Sequence, residues 1–137
     1  APLGLLKRIQ GWLAPGGMLV IDLPNAGEAF AGADSEALTL ERTFTDEETG
    51  NLIMQQSVSR LDRVEQLMYV TWIYDEISSD NLLYRTVAPT IVRYFFLSEM
   101  RLLLTAAGLT LDEVYGDFDS SPFGDGAPRM IVVARNE

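Results

Sequence analysis

Two residue types that carry much of protein chemistry are missing, since this 137-residue chain contains no cysteine and no histidine. A thiolate nucleophile, a Ser-His-Asp relay, a histidine general base and a zinc site of imidazole or thiolate ligands are therefore excluded within the chain. Any catalysis must use carboxylates, tyrosine, lysine, arginine, backbone groups or a bound cofactor. The lack of cysteine also excludes disulfides, which fits a cytoplasmic location.

Basic residues are scarce as well. Ten Lys and Arg stand against twenty Asp and Glu, which gives a formal net charge of -10. A field of this sign repels phosphate backbones and anionic lipids, so neither nucleic acid nor a membrane is expected as a partner. No stretch approaches the roughly 20 consecutive apolar residues of a membrane span, and no leader is recognisable. A hydrophobic content of 47% instead predicts one compact unit with a real core, over residues 1–137.

The chain opens with a helix, a break and an apolar strand. From Leu3 to Leu13 apolar residues recur at helical spacing, and the sequence APGG at 14–17 ends the helix. The stretch from Met18 to Leu23 is apolar apart from Asp22. Such a run is typical of a strand covered on both faces in the sheet of an α/β protein.

The middle of the chain changes to a two-residue period. Residues 38–45 alternate between apolar or long side chains and polar ones, which predicts a half-exposed strand. Further strands are predicted over 52–61, 64–77 and 82–96, the last broken or bent at Pro89. Residues 26–37 before them are read as a short helix or loop. The sum is an antiparallel meander of about four strands within residues 38–96.

A second helix follows the meander. Ser98 is predicted to cap its N-terminus, and Gly108 is predicted to end it in a left-handed conformation, with Leu109 contacting Leu104.

Two more apolar strands, at 109–115 and 130–134, end the chain, and they are joined by a loop of about a dozen residues, 117–128. A helical crossover makes the strand at 18–23 parallel to that at 109–115, whereas a loop connection lets the last strand run antiparallel.

These segments resemble class I S-adenosylmethionine-dependent methyltransferases. LAPGGMLVID at 13–22 resembles the Leu-x-Pro-Gly-Gly turn and fifth strand of that family, and SEMRLLLTAAGL at 98–109 resembles its Glu-x-x-x-Leu-Leu-x-x-Ala-Gly-Phe helix, with Leu109 in place of Phe. Residues 114–119 and 129–135 resemble the sixth and seventh strands.

The resemblance covers residues 3–23 and 97–135, and it implies the C-terminal half of a Rossmann-like methyltransferase sheet. The fold class is α/β, which becomes α+β in the chain as given, with an inserted antiparallel β-meander at 38–96. Several small-molecule methyltransferases of the family carry extra strands at this point.

The family's cofactor motifs are missing, namely a Gly-rich turn after the first strand and an acidic residue after the second. Gly16-Gly17 precedes a strand, and Gly124 and Gly126 lie between strands. The resemblance therefore implies that S-adenosylmethionine binds the full-length parent, and that this fragment binds no cofactor tightly and is inactive alone. It is expected to contribute substrate-side and dimer elements for a small-molecule acceptor.

Four residues are candidates for acceptor binding: Asn25, Tyr94, Asp117 and Asp119. The two Asp residues follow a strand as Asp-x-Asp and can act as a general-base pair, or they lie in a solvated loop. One Asp-x-Asp supplies too few oxygen ligands for calcium, so no metal site is expected. Asn25 can equally cap a turn, and Tyr94 can equally be a core aromatic.

A non-enzymatic reading remains open. The meander and helix can form an α+β module that binds an apolar ligand, with Met54, Met68, Trp72 and Tyr84 lining its pocket, or that dimerises. Because both faces of the third meander strand are partly apolar, a homodimer through the meander is expected under either reading.

Overall fold

The computed structural model describes residues 1–31 and 37–137. These residues form two compact units, a first unit of residues 1–31 and 95–137 and a second unit of residues 37–94. In chain order the elements are α1 (Pro2–Trp12), β1 (Met18–Pro24), α2 (Ala26–Ala31), β2 (Thr39–Thr45), β3 (Leu52–Asp62), β4 (Leu67–Ile77), β5 (Leu83–Arg93), α3 (Leu97–Ala106), β6 (Thr110–Tyr115) and β7 (Arg129–Arg135). The part of the expected helix or loop that follows Ala31 falls mainly outside the described residues.

The first unit contains a three-stranded sheet of order β1-β7-β6. Strand β7 is antiparallel to both neighbours, with Val133 opposite Val20 on β1 and Glu113 on β6. Strands β1 and β6 therefore run parallel to each other, as the connections predicted. The structure adds that the last strand lies between them.

Helices α1 and α3 supply the apolar cover of this sheet. The large side chains that are fully buried between the helices and the sheet are Leu104 of α3 and Met130 and Val132 of β7. Half-buried Leu19, Ile21 and Leu23 of β1 pack against the same core. The core cluster of buried residues is Leu6, Met100, Leu104, Ala107, Leu109, Met130, Val132 and Ala134.

Strand β1 is covered on one face, not on both. Met18 and Val20 are more than half exposed, and exposed and half-buried positions alternate along the strand. The expectation of two covered faces is wrong for the described residues, because the core lies on the side of Leu19, Ile21 and Leu23.

The ends of α3 confirm one expectation and correct another. Gly108 has φ +80°, and the Leu109 N–H donates to the Leu104 carbonyl at 2.9 Å, which is the expected left-handed cap. The N-cap, however, is Phe96, with no side-chain hydrogen bond. Ser98 is not the cap because the helix already begins at Leu97.

The second unit is a four-stranded antiparallel meander of order β2-β3-β4-β5, which confirms the predicted meander. Strand β5 continues through Pro89, which pairs with Thr71, so the expected break is wrong. Because β5 lies at the edge of the sheet, a residue without an N–H is tolerated there.

Polar side chains occupy the buried positions of the meander beside Val70. Asp75 is 5% exposed and lies directly opposite Arg85. Arg85 donates to both carboxylate oxygens of Asp75, each at 2.7 Å, and Gln56 Nε2 donates at 2.8 Å. The hydrogen bonds from Arg85 lower the pKa of Asp75, and they outweigh the opposite effect of burial.

Candidate functional site

A pocket of about 590 Å³ lies within the first unit, next to the end of β1, the start of α3 and the loop before β7. Its walls combine carboxylates, small residues and phenylalanines. The lining residues are Asn25, Ala26, Gly27, Glu28, Ala31, Phe95, Phe96, Leu97, Ser98, Phe123, Gly124, Asp125 and Met130.

Asn25 builds the wall that follows β1. Its Oδ1 accepts from the Gly27 N–H at 3.1 Å, and its carbonyl accepts from the Ala29 N–H at 3.2 Å, so Asn25 begins α2 in the manner of an N-cap. Its Nδ2 donates to the Ala127 carbonyl at 2.8 Å. The buried amide of Asn25 thus joins the start of α2 to the loop before β7.

The adjoining wall is a tight turn of residues 124–127. The Ala127 N–H donates to the Gly124 carbonyl at 3.1 Å, and Gly126 adopts φ +78° at the third position. A positive φ at that position is typical of a type II turn and favours glycine. The Gly126 N–H donates to Glu28 Oε1 at 3.0 Å, which gives the turn a second link to α2.

The long loop that carries this turn folds back on Gly116. The Gly116 N–H donates to the Ser121 carbonyl at 2.7 Å, and its carbonyl accepts from the Arg129 N–H at 3.0 Å. A Cβ at Gly116 would lie 2.7 Å from the Pro122 carbonyl oxygen and 2.9 Å from Ala127 Cβ. Only glycine fits this close approach, and the loop is therefore held against the end of β6.

The chemistry of the pocket is acidic and aromatic. Glu28 and Asp125 are its charged lining residues, and Phe95, Phe96 and Phe123 supply aromatic surface. No Lys or Arg is among the lining residues. Such a surface attracts a cation through its carboxylates, and it disfavours an anion.

One of the four predicted site residues, Asn25, lines this pocket. Tyr94 belongs to the second unit, where burial raises the pKa of its phenol, and its hydroxyl lies 3.7 Å from the Met68 sulfur. Asp117 and Asp119 accept backbone hydrogen bonds within their own loop, from Phe118 at 2.8 Å and from Ser121 at 3.0 Å.

Hydrogen bonds from Ser121 lower the pKa of Asp119. Binding of an acceptor by any of the four residues stays a prediction.

Sequence reasoning did not find Glu28, Asp125 or Phe123. Glu28 lies in a weakly patterned segment, whereas Asp125 between two glycines of a long loop was a usable signal, because such turns present side chains to solvent. Among residues 1–31 and 37–137, no cluster of three or more acidic side chains is placed to hold a metal ion. In the same residues no helix is long and apolar enough to cross a membrane.

Comparison with solved structures shows which class of protein has a similar fold. Similar solved structures include methyltransferases, and the fold of this chain is that of about half of an S-adenosylmethionine-dependent methyltransferase. The resemblance predicted from the segments around 13–22 and 98–109 is thereby confirmed at the level of the fold.

Three particular structures carry this comparison. The CcbJ methyltransferase from Streptomyces caelestis has TM-score 0.77 and 24% identity, covering 98% of this chain and 52% of its own. An S-adenosylmethionine-dependent methyltransferase from Clostridium acetobutylicum has TM-score 0.75 and 10% identity, covering 97% and 50%. CalS10, an amino pentose methyltransferase from Micromonospora echinaspora, has TM-score 0.70 and 16% identity, covering 98% and 50%.

The chain spans about half the length of the structures it matches. No protein-family model matches it, and no curated protein matches its sequence.

Proposed function

We propose that this chain is the acceptor-side half of an S-adenosylmethionine-dependent methyltransferase that acts on a small molecule. The observation that carries the proposal is the fold, which follows solved methyltransferases over nearly the whole chain. Because the chain corresponds to about half of each match, the cofactor site belongs to the remainder of the full-length parent. The fragment alone is not catalytic under this proposal.

The pocket beside β1 is the acceptor site in this proposal. It lies beyond the carboxyl end of β1, at the edge where open α/β sheets bind ligands. Asn25 contributes to its wall, and the long loop of β6 and β7 contributes Asp125. Asp117, Asp119 and Tyr94, which do not line this pocket, stay predicted candidates for acceptor binding.

An amine is the acceptor group that this pocket favours. The carboxylate of Asp125 attracts an ammonium group, and Phe95, Phe96 and Phe123 add aromatic side chains to the lining of the same pocket. CalS10, whose fold is similar, is an amino pentose methyltransferase. Methyl transfer to nitrogen requires the ammonium to lose a proton first, and a carboxylate at hydrogen-bond distance can orient the group and accept that proton.

S-adenosylmethionine, bound by the rest of the protein, supplies the methyl group. The new N–C bond forms as the S–C bond breaks with its electron pair kept by sulfur.

Cofactor binding tests the class of protein. The polypeptide encoded by the complete reading frame is titrated with S-adenosylmethionine by calorimetry, beside the 137-residue chain. We expect a micromolar dissociation constant for the complete polypeptide and no heat for the fragment. A dissociation constant of about 1 mM corresponds to a binding free energy of only about 4 kcal/mol. If the complete polypeptide shows no binding even at about 1 mM cofactor, the methyltransferase proposal is refuted. Micromolar binding by the fragment refutes the incomplete site.

The acceptor class has its own test. The complete polypeptide is incubated with methyl-labelled cofactor and matched pairs of amino sugars and their hydroxyl analogues, and transfer of label is counted. We expect label on amino sugars only. Transfer to the hydroxyl analogues without transfer to the amines contradicts the amine proposal and leaves the methyltransferase proposal intact.

We propose in addition that the meander forms a homodimer with a second copy of the chain. Strand β5 is an edge strand, and Leu83, Val87 and Ile91 on one of its faces are each more than half exposed. If β5 pairs with β5 of a second chain across a two-fold axis, both exposed strand edges are used and the assembly stops at a dimer.

Light scattering after size exclusion tests the dimer. We expect the mass of a dimer for the wild type and of a monomer for Val87→Lys with Ile91→Lys. Leu102→Lys, at a position 74% exposed in the first unit, is the matched control and keeps the dimer. A wild-type monomer contradicts the dimer.

If the complete polypeptide does not bind the cofactor, the non-enzymatic alternative becomes the proposal. That alternative is a ligand-binding or dimerisation module, for which the exposed apolar side chains of β5 would provide the binding surface. A cytoplasmic location stays a prediction.

A further inference from the structure

We propose that the two pocket carboxylates have different roles: Asn25 and Glu28 clamp the turn at 124–127, and the clamp holds Asp125 as the carboxylate that contacts the acceptor. Asn25 and Glu28 are positioning residues in this scheme. The role of Asp125 rests on the proposed function, whereas the clamp itself does not.

The first point of the clamp is the side-chain amide of Asn25. Its nitrogen and its oxygen are both engaged by backbone groups, the Ala127 carbonyl and the Gly27 N–H. The Asn25 N–H also donates to the Pro128 carbonyl at 3.3 Å. With only 7% of the residue exposed, and with both its amide nitrogen and its amide oxygen bonded to backbone groups, Asn25 acts on the pocket through the turn.

The second point is Glu28. Its Oε1 accepts from the Gly126 N–H at 3.0 Å across a sequence separation of 98 residues. Because this contact needs an acceptor oxygen and not a charge, a neutral glutamine can replace it. One carboxylate of the pocket is thus committed to holding the loop.

Asp125 directly precedes the two clamped residues of the turn, Gly126 and Ala127. It is the second residue of the turn, a position from which the side chain projects outward. It is exposed, and no hydrogen bond or ion pair with the described part of the chain engages its carboxylate. The charge of Asp125 remains available to a ligand. The backbone that follows it is fixed by Glu28 at Gly126 and by Asn25 at Ala127, and the turn bond from the Ala127 N–H to the Gly124 carbonyl closes the other side.

Fixing a charged group in this way matters for affinity and selectivity. A carboxylate on a loose loop must be ordered when the ligand binds, and ordering opposes binding. A carboxylate on a clamped turn is ordered before the ligand arrives. The clamp therefore predicts that its loss weakens acceptor binding more than it slows the chemical step.

Amide hydrogen exchange tests the clamp without any acceptor. The complete polypeptide is labelled with 15N-glycine, and exchange of the Gly126 N–H is measured. We expect Glu28→Ala to accelerate it about fivefold, as for one hydrogen bond, and Glu28→Gln to retain most of the protection. Unchanged exchange in Glu28→Ala refutes the clamp. Gly50, whose N–H bonds to Asp46 in the second unit, is the internal control.

Steady-state kinetics with the amino sugar that accepts most label separate the two carboxylates. We expect Glu28→Ala and Asn25→Ala to raise KM about fivefold with little change in kcat, and Glu28→Gln to recover most of that loss. Asp125→Asn should raise KM about tenfold or more, since its charge is the group in contact.

Asp112→Asn removes an equal charge from an exposed position outside the pocket and is the control for net charge. The division of roles is overturned if Glu28→Gln raises KM as much as Glu28→Ala does. It is also overturned if Asp125→Asn leaves KM unchanged. Protection of Gly126 is independent of methyl transfer, so failure of the clamp and failure of the proposed function are distinguishable.

Discussion

The two units of this chain are both built on antiparallel pairing, but their interiors differ. In the first unit the buried cluster is apolar, from Leu6 to Ala134, and it lies between one face of the sheet and the helices. In the described part of the second unit, Val70 is the buried apolar residue, and the other buried residues are Gln56, Ser57 and Asp75.

The difference shows two ways to specify a sheet. Apolar packing stabilises the first unit, and this burial is not directional. The clamp of Asp75 by Arg85 and Gln56 is directional, and a shift of one residue would move Asp75 to the other face of the meander. We infer that the second unit uses this polar network to fix its strand register.

The largest expected effect comes from the apolar core. Leu104→Ala removes a side chain that is 0% exposed and should lower the free energy of unfolding by about 3 kcal/mol. Leu102→Ala on the same helix, at a position 74% exposed, should change it by less than about 0.5 kcal/mol. Urea unfolding measures both, and hydrogen exchange by mass spectrometry assigns the loss to a unit. Equal losses of protection in both units would contradict their separate interiors.

The loop that forms the pocket should respond next. Gly116→Ala places a methyl group within 2.9 Å of two neighbours and should cost about 2 kcal/mol through displacement of the loop. Gly124→Ala, which meets nothing within 4 Å, is the control in the same loop. Thermal unfolding compares them. A Gly116→Ala protein as stable as Gly124→Ala would show that the loop is not held against β6.

The polar interior of the second unit predicts a pH dependence. The pKa of Asp75 is lowered in the folded state, so between its folded and ordinary values the unfolded chain binds more protons. Its contribution to stability is complete above its ordinary value of about 4 and is lost as the pH falls through the folded pKa. In Asp75→Asn the free energy of unfolding should fall less steeply with decreasing pH below that value. The difference from the wild type should be smaller than the effect of Gly116→Ala.

Fluorescence of Trp72 during urea unfolding, in a Trp12→Phe background, measures this effect in the second unit. Glu47→Gln, which removes an exposed carboxylate from a turn of the same unit, is the control and should leave the pH profile unchanged. A profile for Asp75→Asn that matches the wild type would mean that the network does not stabilise the meander.

Local patterns predicted the fold because each element has a signal of its own. The two-residue period over 38–45, the break at 14–17 and the glycine at 108 each reflect local backbone preferences. The position of β7 between β1 and β6 and the passage of β5 through Pro89 are set by tertiary pairing, which no local pattern encodes.

The pocket was harder to predict than the fold. Asn25 was found because it follows a strand, but its partner Ala127 lies 102 positions away. Glu28 and Asp125 come to the same pocket from distant segments, because Glu28 accepts a hydrogen bond from the backbone N–H of Gly126, the residue after Asp125. Spacing along a sequence does not reveal such contacts. The Asp-x-Asp at 117 and 119 was the more visible motif, and its side chains accept bonds within their own loop.

The smallest expected effect comes from an exposed ion pair of the first unit, Asp22 with Arg129. Asp22 and Arg129 approach to 2.6 Å, with side chains 40% and 32% exposed. A double-mutant cycle should give a coupling of about 0.5 kcal/mol that shrinks in high salt, because water and ions screen the pair. The coupling between Asp75 and Arg85 should be larger and less sensitive to salt, since Asp75 is buried.

Arg129 also lies over the ring of Phe118, 5.3 Å from its centre, so Arg129→Ala should cost more than Asp22→Ala in that cycle. Equal couplings for the exposed and buried pairs would mean that burial of Asp75 adds nothing to its attraction for Arg85. The register of the meander would then depend on its half-buried apolar side chains, and the two units would be stabilised in the same way.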